Sequence, residues 1–233
     1  MSASRQALKK RITSQAQISE SFVLNLFLSI SGGFQDAYTY ICRDKVFANA
    51  QTGNVVLFSM NLMENNAASA IRYLLPVIAF ALGIFISDMV EVRYRRAKKI
   101  HWRQGILLAE ILILAAVAFI PHDFDFAANM LVSFSCALQV QAFRSVSGHA
   151  YASTMCIGNL RSGVSFLSGY FRERNRSDLR HAAYYFGIIS FFALGAGVGA
   201  EVSKRLGLPS ILASCFLLAI AFLLMEIDRD ACQ

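Results

Sequence analysis

Gly32-Gly33-Phe34-Gln35-Asp36-Ala37-Tyr38-Thr39-Tyr40, followed by Val46-Phe47-Ala48-Asn49-Ala50-Gln51-Thr52-Gly53-Asn54-Val55-Val56, is the stretch that decides how the chain is read, because its pattern returns 105 positions later. At that shift Asp36 falls on Gln141, Ala37 on Ala142, Tyr38 on Phe143, and the pair Gly53-Asn54 on Gly158-Asn159. Farther on, Phe80-Ala81-Leu82-Gly83 recurs letter for letter as Phe192-Ala193-Leu194-Gly195, at a shift of 112. Matches that keep their order point to a duplicated unit.

Composition fixes the solvent. Of 233 residues, 56% are hydrophobic and 16% charged, and the mean hydropathy is +0.48. That balance does not suit a soluble surface, and the expected class is an all-α, polytopic membrane protein whose first partner is the lipid bilayer. The net charge of +7 does not imply nucleic acid, because the basic residues lie in short loops between apolar runs, where the positive-inside bias accounts for them. Cys42, Cys136, Cys156, Cys215 and Cys232 show no CxxC spacing, and the four histidines are isolated. Neither a disulfide framework nor a metal site is expected, and no cofactor. There is no HExxH, no GxSxG and no nucleotide-binding loop, so an enzyme is not the expected class.

Taken in order, residues 1–20 are a polar arm with Arg5, Lys9, Lys10 and Arg11. The apolar runs predict full spans over residues 22–41, 73–92, 105–120, 127–143, 182–202 and 211–225, each roughly the 20 residues that a bilayer needs or somewhat fewer. Two further runs, after Thr52-Gly53-Asn54 and after Ile157-Gly158-Asn159, read as half a bilayer in length. Residues 21–121 then form a first unit, 122–128 an external acidic hairpin with Asp123 and Asp125, 129–226 a second unit, and 227–233 a tail. Charge decides whether the short runs cross. If they enter and return on one side, the N-terminal arm, the loop with Arg93, Arg95, Arg96, Lys98, Lys99 and Arg103, and the arm with Arg172, Arg174, Arg176 and Arg180 all face the cytoplasm. Only Lys204 and Arg205 dissent. Three full spans per unit, an odd number, make the second copy inverted relative to the first.

Non-helical backbone at membrane depth must be buried in protein or face water, so the two Gly-Asn turns are expected to meet at the protein centre. Glycine permits the reversal, asparagine is a good helix cap, and free N–H groups at a helix start suit an anion or a carbonyl oxygen. The candidate solute or ion site is therefore Asp36, Asn49, Gln51, Thr52, Gly53 and Asn54 in the first copy, with Gln141, Arg144, Gly158, Asn159 and Arg161 in the second. Asp36 is costly inside a span and should face a cavity or a partner, the competing partner being Arg43 or Lys45. Asn54 and Asn159 also read as plain caps, Arg144 and Arg161 as interfacial anchors, Asp88, Glu91 and Glu201 as local ion pairs, and Gly195, Gly197 and Gly199 as packing glycines. Gly53→Val and Gly158→Val are expected to impair function or assembly.

The Gly32–Tyr40 string, Val46 through Val56, and Ile157-Gly158-Asn159-Leu160-Arg161-Ser162 resemble signature segments of the YoaK family of bacterial integral membrane proteins. The resemblance covers residues 21–225, and its most specific string is Ala48 to Asn54. Where that family commonly has Thr-Gly-Asn-Leu, this chain has Ile157 in place of the threonine. The resemblance implies a protein of the bacterial inner membrane with about six spans, and it implies no substrate; the charge distribution puts both termini in the cytoplasm.

The expected function is a small-solute transporter or permeation protein whose solute is uncharacterised and suits an anion; the alternative is a membrane scaffold or a membrane-embedded enzyme. A homo-oligomer is compatible with either. Reporter fusions or cysteine labelling are expected to place Met1, Gln233, Arg95 and Arg176 in the cytoplasm, and an external Arg95 would sink the arrangement.

Overall fold

Each long apolar run becomes a helix. The computed structural model describes residues 22–94, 102–146, 149–150 and 153–230, and among these the helices are α1 (Phe22–Cys42), α2 (Gln51–Met63), α3 (Ala67–Tyr94), α4 (Trp102–Val117), α5 (Asp125–Ala142), α6 (Cys156–Glu173), α7 (Arg176–Leu206) and α8 (Leu212–Asp230). Short 3₁₀ turns, His122–Phe124 and Leu208–Ile211, lead into α5 and α8. Ser145–Val146 pairs with His149–Ala150 in a two-residue antiparallel ladder after α5. The N-terminal arm, Arg95, Arg96, Lys98, Lys99 and Cys232 lie outside the described residues.

Two expected turns are helix instead. Thr52-Gly53-Asn54 lies inside the first turn of α2, and Gly158-Asn159 inside that of α6. Neither glycine has a positive φ; among described glycines only Gly207 does, at 64°. The reversal before α2 is made by Asp44 and Lys45, both left-handed at φ 60° and 58°. α6 also runs longer than a half-helix, 18 residues or roughly 27 Å.

Three of the helices are long and apolar enough to cross a membrane by themselves: α3, α7 and the 208–226 stretch that forms most of α8, with mean hydropathies of 2.0, 1.6 and 2.4. α1 and α5 fall short for a physical reason. They are wrapped by other helices and use that cover to bury polar side chains: Asn25, Ser29, Ser31, Gln35, Asp36 and Thr39 on α1, and Asn129, Ser133, Ser135 and Gln139 on α5. The outer helices carry the exposed apolar surface, such as Ile78, Leu82, Phe85 and Met89 on α3 and Leu194 and Val198 on α7.

Contacts between helix ends set the directions. At one end Arg43, just past α1, donates to the Val117 carbonyl at the end of α4 (2.9 Å) and pairs with Asp125 at the start of α5. Asp44 pairs there with Arg72 in α3 (3.7 Å), and the Cys42 thiol donates to the Ser203 carbonyl near the end of α7 (3.6 Å). At the other end Phe22 stacks on Tyr184 (4.8 Å), Gln104 donates to Glu226 (2.8 Å), and Arg144 pairs with Glu91 (3.2 Å). Hence α1, α4 and α7 run one way, and α3, α5 and α8 the other.

The most extensive packing joins α1 to α7 and α5 to α3, both parallel pairs; α2 lies on α3, α6 on α7, and α4 and α8 fill between them. Exchanging α1 with α5, α2 with α6, α3 with α7 and α4 with α8 turns each of these contacts into another. The recurrent Phe-Ala-Leu-Gly string marks the two principal crossings. A Cβ at Gly195 would overlap the Ile30 carbonyl of α1, and one at Gly83 would stand 2.5 Å from the Phe134 carbonyl and 2.7 Å from the Ala137 methyl of α5. Gly33 faces the Phe192 carbonyl in the same way, and Gly199 faces the Phe34 backbone. A Cβ at Gly197 would meet nothing within 4 Å.

These distances reorder the glycine substitutions. Gly83→Val and Gly195→Val are expected to cost at least about 3 kcal/mol or to abolish the folded protein, because the neighbour is backbone that has nowhere to go. Gly158→Val, whose Cβ meets nothing within 4 Å, is expected to stay within about 1 kcal/mol of the parent. Thermal melts of the purified proteins in detergent check the ranking, and equal losses at positions 158 and 195 would refute it.

Candidate functional site: the junction at the middle of the first helix

After the left-handed pair Asp44-Lys45, the chain runs back along α1, with Val46 and Ala48 fully buried. The Phe47 ring stacks on Tyr40 (5.0 Å). The segment then reaches the midpoint of α1. The Asn49 N–H donates to Asp36 Oδ1 (2.7 Å), and Asn49 Nδ2 donates to the Gly32 carbonyl (3.2 Å). The backbone N–H groups of Ala48 and Ala50 are also directed at the Asp36 carboxyl.

Asp36 thus holds, from another helix, the three residues that lead into α2, up to the one in the cap position. The residue in the cap position, Ala50, offers no side-chain hydrogen bond. Asn54, expected as a cap or a ligand donor, performs a different task. Its Nδ2 donates to the Phe47 carbonyl (2.7 Å) and to Gln51 Oε1 (2.9 Å), and its Oδ1 accepts from the Phe47 N–H (3.3 Å). Gln51 Nε2 donates in turn to the Ala48 carbonyl (2.7 Å). The two amides satisfy the backbone of a buried, non-helical approach.

A second approach arrives at the same place from the other half of the chain. Ser153 and Thr154, immediately before α6, are buried, and the Thr154 methyl lies so close to Gly32 that any side chain there would collide with it. Gln139 Nε2 donates to Ser153 Oγ (2.8 Å) and to the Leu28 carbonyl (3.4 Å). Leu28, Gly32 and Asp36 are spaced i, i+4, i+8 and share one face of α1. Both pre-helix segments therefore reach that face, but the residues that touch Gly32 are Asn49 and Thr154, not the two Gly-Asn pairs that were expected to meet.

Of the expected site residues, Asp36, Asn49, Gln51 and Asn54 come together. Thr52 is exposed, Gly53 half-buried beside the Phe47 ring, and Gly158 exposed. Asn159 is buried in the first turn of α6, and Arg161 is exposed on the same helix. Gln141 and Arg144 sit at the far end of α5, where Gln141 donates to Asp88 (3.1 Å) and Arg144 pairs with Glu91. Of the local ion pairs foreseen for Asp88, Glu91 and Glu201, the last is present with Arg205 (2.6 Å), whereas Glu91 pairs with the distant Arg144 and Asp88 takes the Gln141 amide. Arg43 does not pair with Asp36; its fully buried guanidinium is held by Asp125, the Tyr38 hydroxyl (3.0 Å) and the Val117 carbonyl.

Sequence reasoning passed over Glu110. It stands in the middle of α4, fully buried, and its Oε1 accepts from Gln35 Nε2 (3.2 Å). Gln35 Nε2 is also within reach of Ser31 and Ser214 (3.0 and 3.1 Å), and its Oε1 accepts from the Cys136 thiol (2.7 Å). The signal was available, since a carboxyl inside an apolar run singles itself out as Asp36 does.

The bonds to Asp36 predict a graded response. Asp36→Asn retains an oxygen for the Asn49 N–H and is expected to lose about 1 kcal/mol, whereas Asp36→Leu strands the buried donors and is expected to lose at least about 3 kcal/mol. Denaturation in detergent measures both, and indistinguishable losses would show that those bonds contribute nothing.

A family model described as a protein of unknown function (DUF1275) matches residues 24–224. The UPF0700 transmembrane protein YoaK of Bacillus subtilis (strain 168) is 24% identical over 181 residues, which cover 72% of this chain and 78% of that relative. No solved structure matches the chain. With the matched region reaching from α1 into α8, the chain belongs to the DUF1275 family and is a membrane protein.

Proposed function

We propose that this protein is a small-solute transporter or permeation protein of the bacterial inner membrane, with its site where the two pre-helix segments meet on α1. The observation that carries this reading is the convergence at Gly32: Asn49 from one segment and Thr154 from the other, with the Asp36 carboxyl one turn away. In this reading α1, α3, α4, α5, α7 and α8 are six crossings. α2 with its approach, and α6 with its approach, enter from opposite faces, reach the midplane and return to the face they came from. The exchange symmetry of the helix contacts and the repeated Phe-Ala-Leu-Gly crossings support an inverted repeat. Buried polar groups at mid-depth, on helices screened from lipid, are what a solute path requires and what a scaffold has no use for.

Water access separates the readings without knowledge of the solute. In a variant lacking the native cysteines, Thr154→Cys and Ser153→Cys are expected to react with a membrane-impermeant maleimide from at least one side of sealed vesicles. Leu114→Cys, within the apolar core, is expected to stay unreactive. If the position 153 and 154 variants fold by gel filtration yet resist labelling from both sides as fully as the core control, no path reaches the junction and the transport reading fails.

A further inference from the structure

We infer that the junction binds a small monovalent cation rather than the anion its two helix starts suggest, an inference that rests on the transport reading above and names the ligand class of the same site. The starting point is which atoms are left over. Asn49 Oδ1, Thr154 Oγ1 and Gln139 Oε1 are buried and have no hydrogen-bond partner among the described residues. Asn49 and Thr154 are each 6% exposed and Gln139 is 1% exposed. The amide orientations follow from their donors: Asn49 Nδ2 is committed to the Gly32 carbonyl, and Gln139 Nε2 to the Leu28 carbonyl and Ser153 Oγ. The unused atoms are therefore oxygens. A buried acceptor without a partner is costly, and three of them on residues that touch one face of α1 over two turns call for an occupant that supplies positive charge or donors.

The approach to α2 is already taken by an acid. The N–H groups of Ala48, Asn49 and Ala50, which lead into the helix, are directed at Asp36, so the chain's own carboxylate stands where a solute anion would be held. The field of the same carboxylate reaches Cys156 in the first turn of α6, which brings it near the second helix start as well. Basic side chains do not offset it. Arg43 is engaged by Asp125, Tyr38 and Val117, Arg144 by Glu91, and Arg161 is exposed. What remains is one carboxylate with amide and hydroxyl oxygens, a hard donor set carrying a single negative charge. Divalent ions are ordinarily held by several carboxylates, and a single charge fits sodium, potassium or ammonium.

The test is a melting series on the purified full-length protein at constant ionic strength. Choline chloride is replaced by sodium, potassium or ammonium chloride, and in parallel the chloride of the choline salt is replaced by formate or phosphate. One small cation is expected to raise the melting temperature by about 3 °C or more, saturably and whatever the anion. Thr154→Val keeps both branches of the side chain and removes only the oxygen, so it is expected to lose the shift, while Thr154→Ser keeps the oxygen and is expected to retain it. A shift that follows the anion, the absence of any cation shift, as for a site filled by water alone, or an undiminished shift in Thr154→Val would each overturn the inference. The two proposals fail separately: thiols at 153 and 154 that label without any cation shift leave transport standing and remove the cation, and a cation shift without labelling does the reverse.

Discussion

Two helix backbones in direct contact set the terms for this molecule. Gly33 and Gly195 let α1 and α7 approach until the carbonyls of Ile30 and Phe192 occupy the space a side chain would need, and Gly199 extends the contact along the Phe34 backbone. In a bilayer, where lipid is as apolar as the side chains it would displace, close packing of this kind is a main source of helix association. It also fixes the rotation of α1. With its glycine face turned to α7, the face carrying Leu28, Gly32 and Asp36 is presented to the two pre-helix segments, and that carrying Ser31 and Gln35 to Ser214 of α8 and Glu110 of α4.

Arg43 extends the same order to one end of the bundle. Its guanidinium is fully buried yet joins the end of α1, the end of α4 and the start of α5, with Asp125 supplying the countercharge and Tyr38 and the Val117 carbonyl the remaining acceptors. Asn129 adds a donor to the Arg43 carbonyl (2.8 Å). Removing one partner from such a pair is far more damaging than the net worth of the pair suggests, because the survivor is left charged and dry. The acidic loop before α5 is thus partly internal. Asp125 belongs to the fold, and only Asp123 remains as surface charge.

How much was legible follows from how local each cause is. The first span, read as 22–41, is Phe22–Cys42, because its limits are set by its own apolar run and the charges after it. Gly195 and Gly199 were legible as packing residues, whereas Gly83, which packs on α5 in the same way, was not singled out and Gly197 meets no neighbour. The starts of α2 and α6 were not, since Gly53 and Gly158 look like turn residues, while the approach to α2 is held by an acid 12 to 14 positions upstream, a tertiary fact. Arg43 looked like an interfacial charge because its partner lies 82 residues away. Thr154 gave no signal at all: with no motif around it, it acquires a role only where it touches Gly32.

The counterpart of Asp36 in the second copy has a different task. At a shift of 105 the matching residue is Gln141, which lies at the end of α5 and bonds to Asp88, away from any helix start. One carboxylate on α1 already stands against the start of α2 and within electrostatic reach of the start of α6. Position 141 stands outside that junction, and its neighbour there is Asp88, beside which a second acid would meet a like charge whereas an amide can donate to it. The asymmetry of the two copies therefore follows from where each matching position comes to lie: one faces the N–H groups that lead into a helix, the other a carboxylate at a helix end.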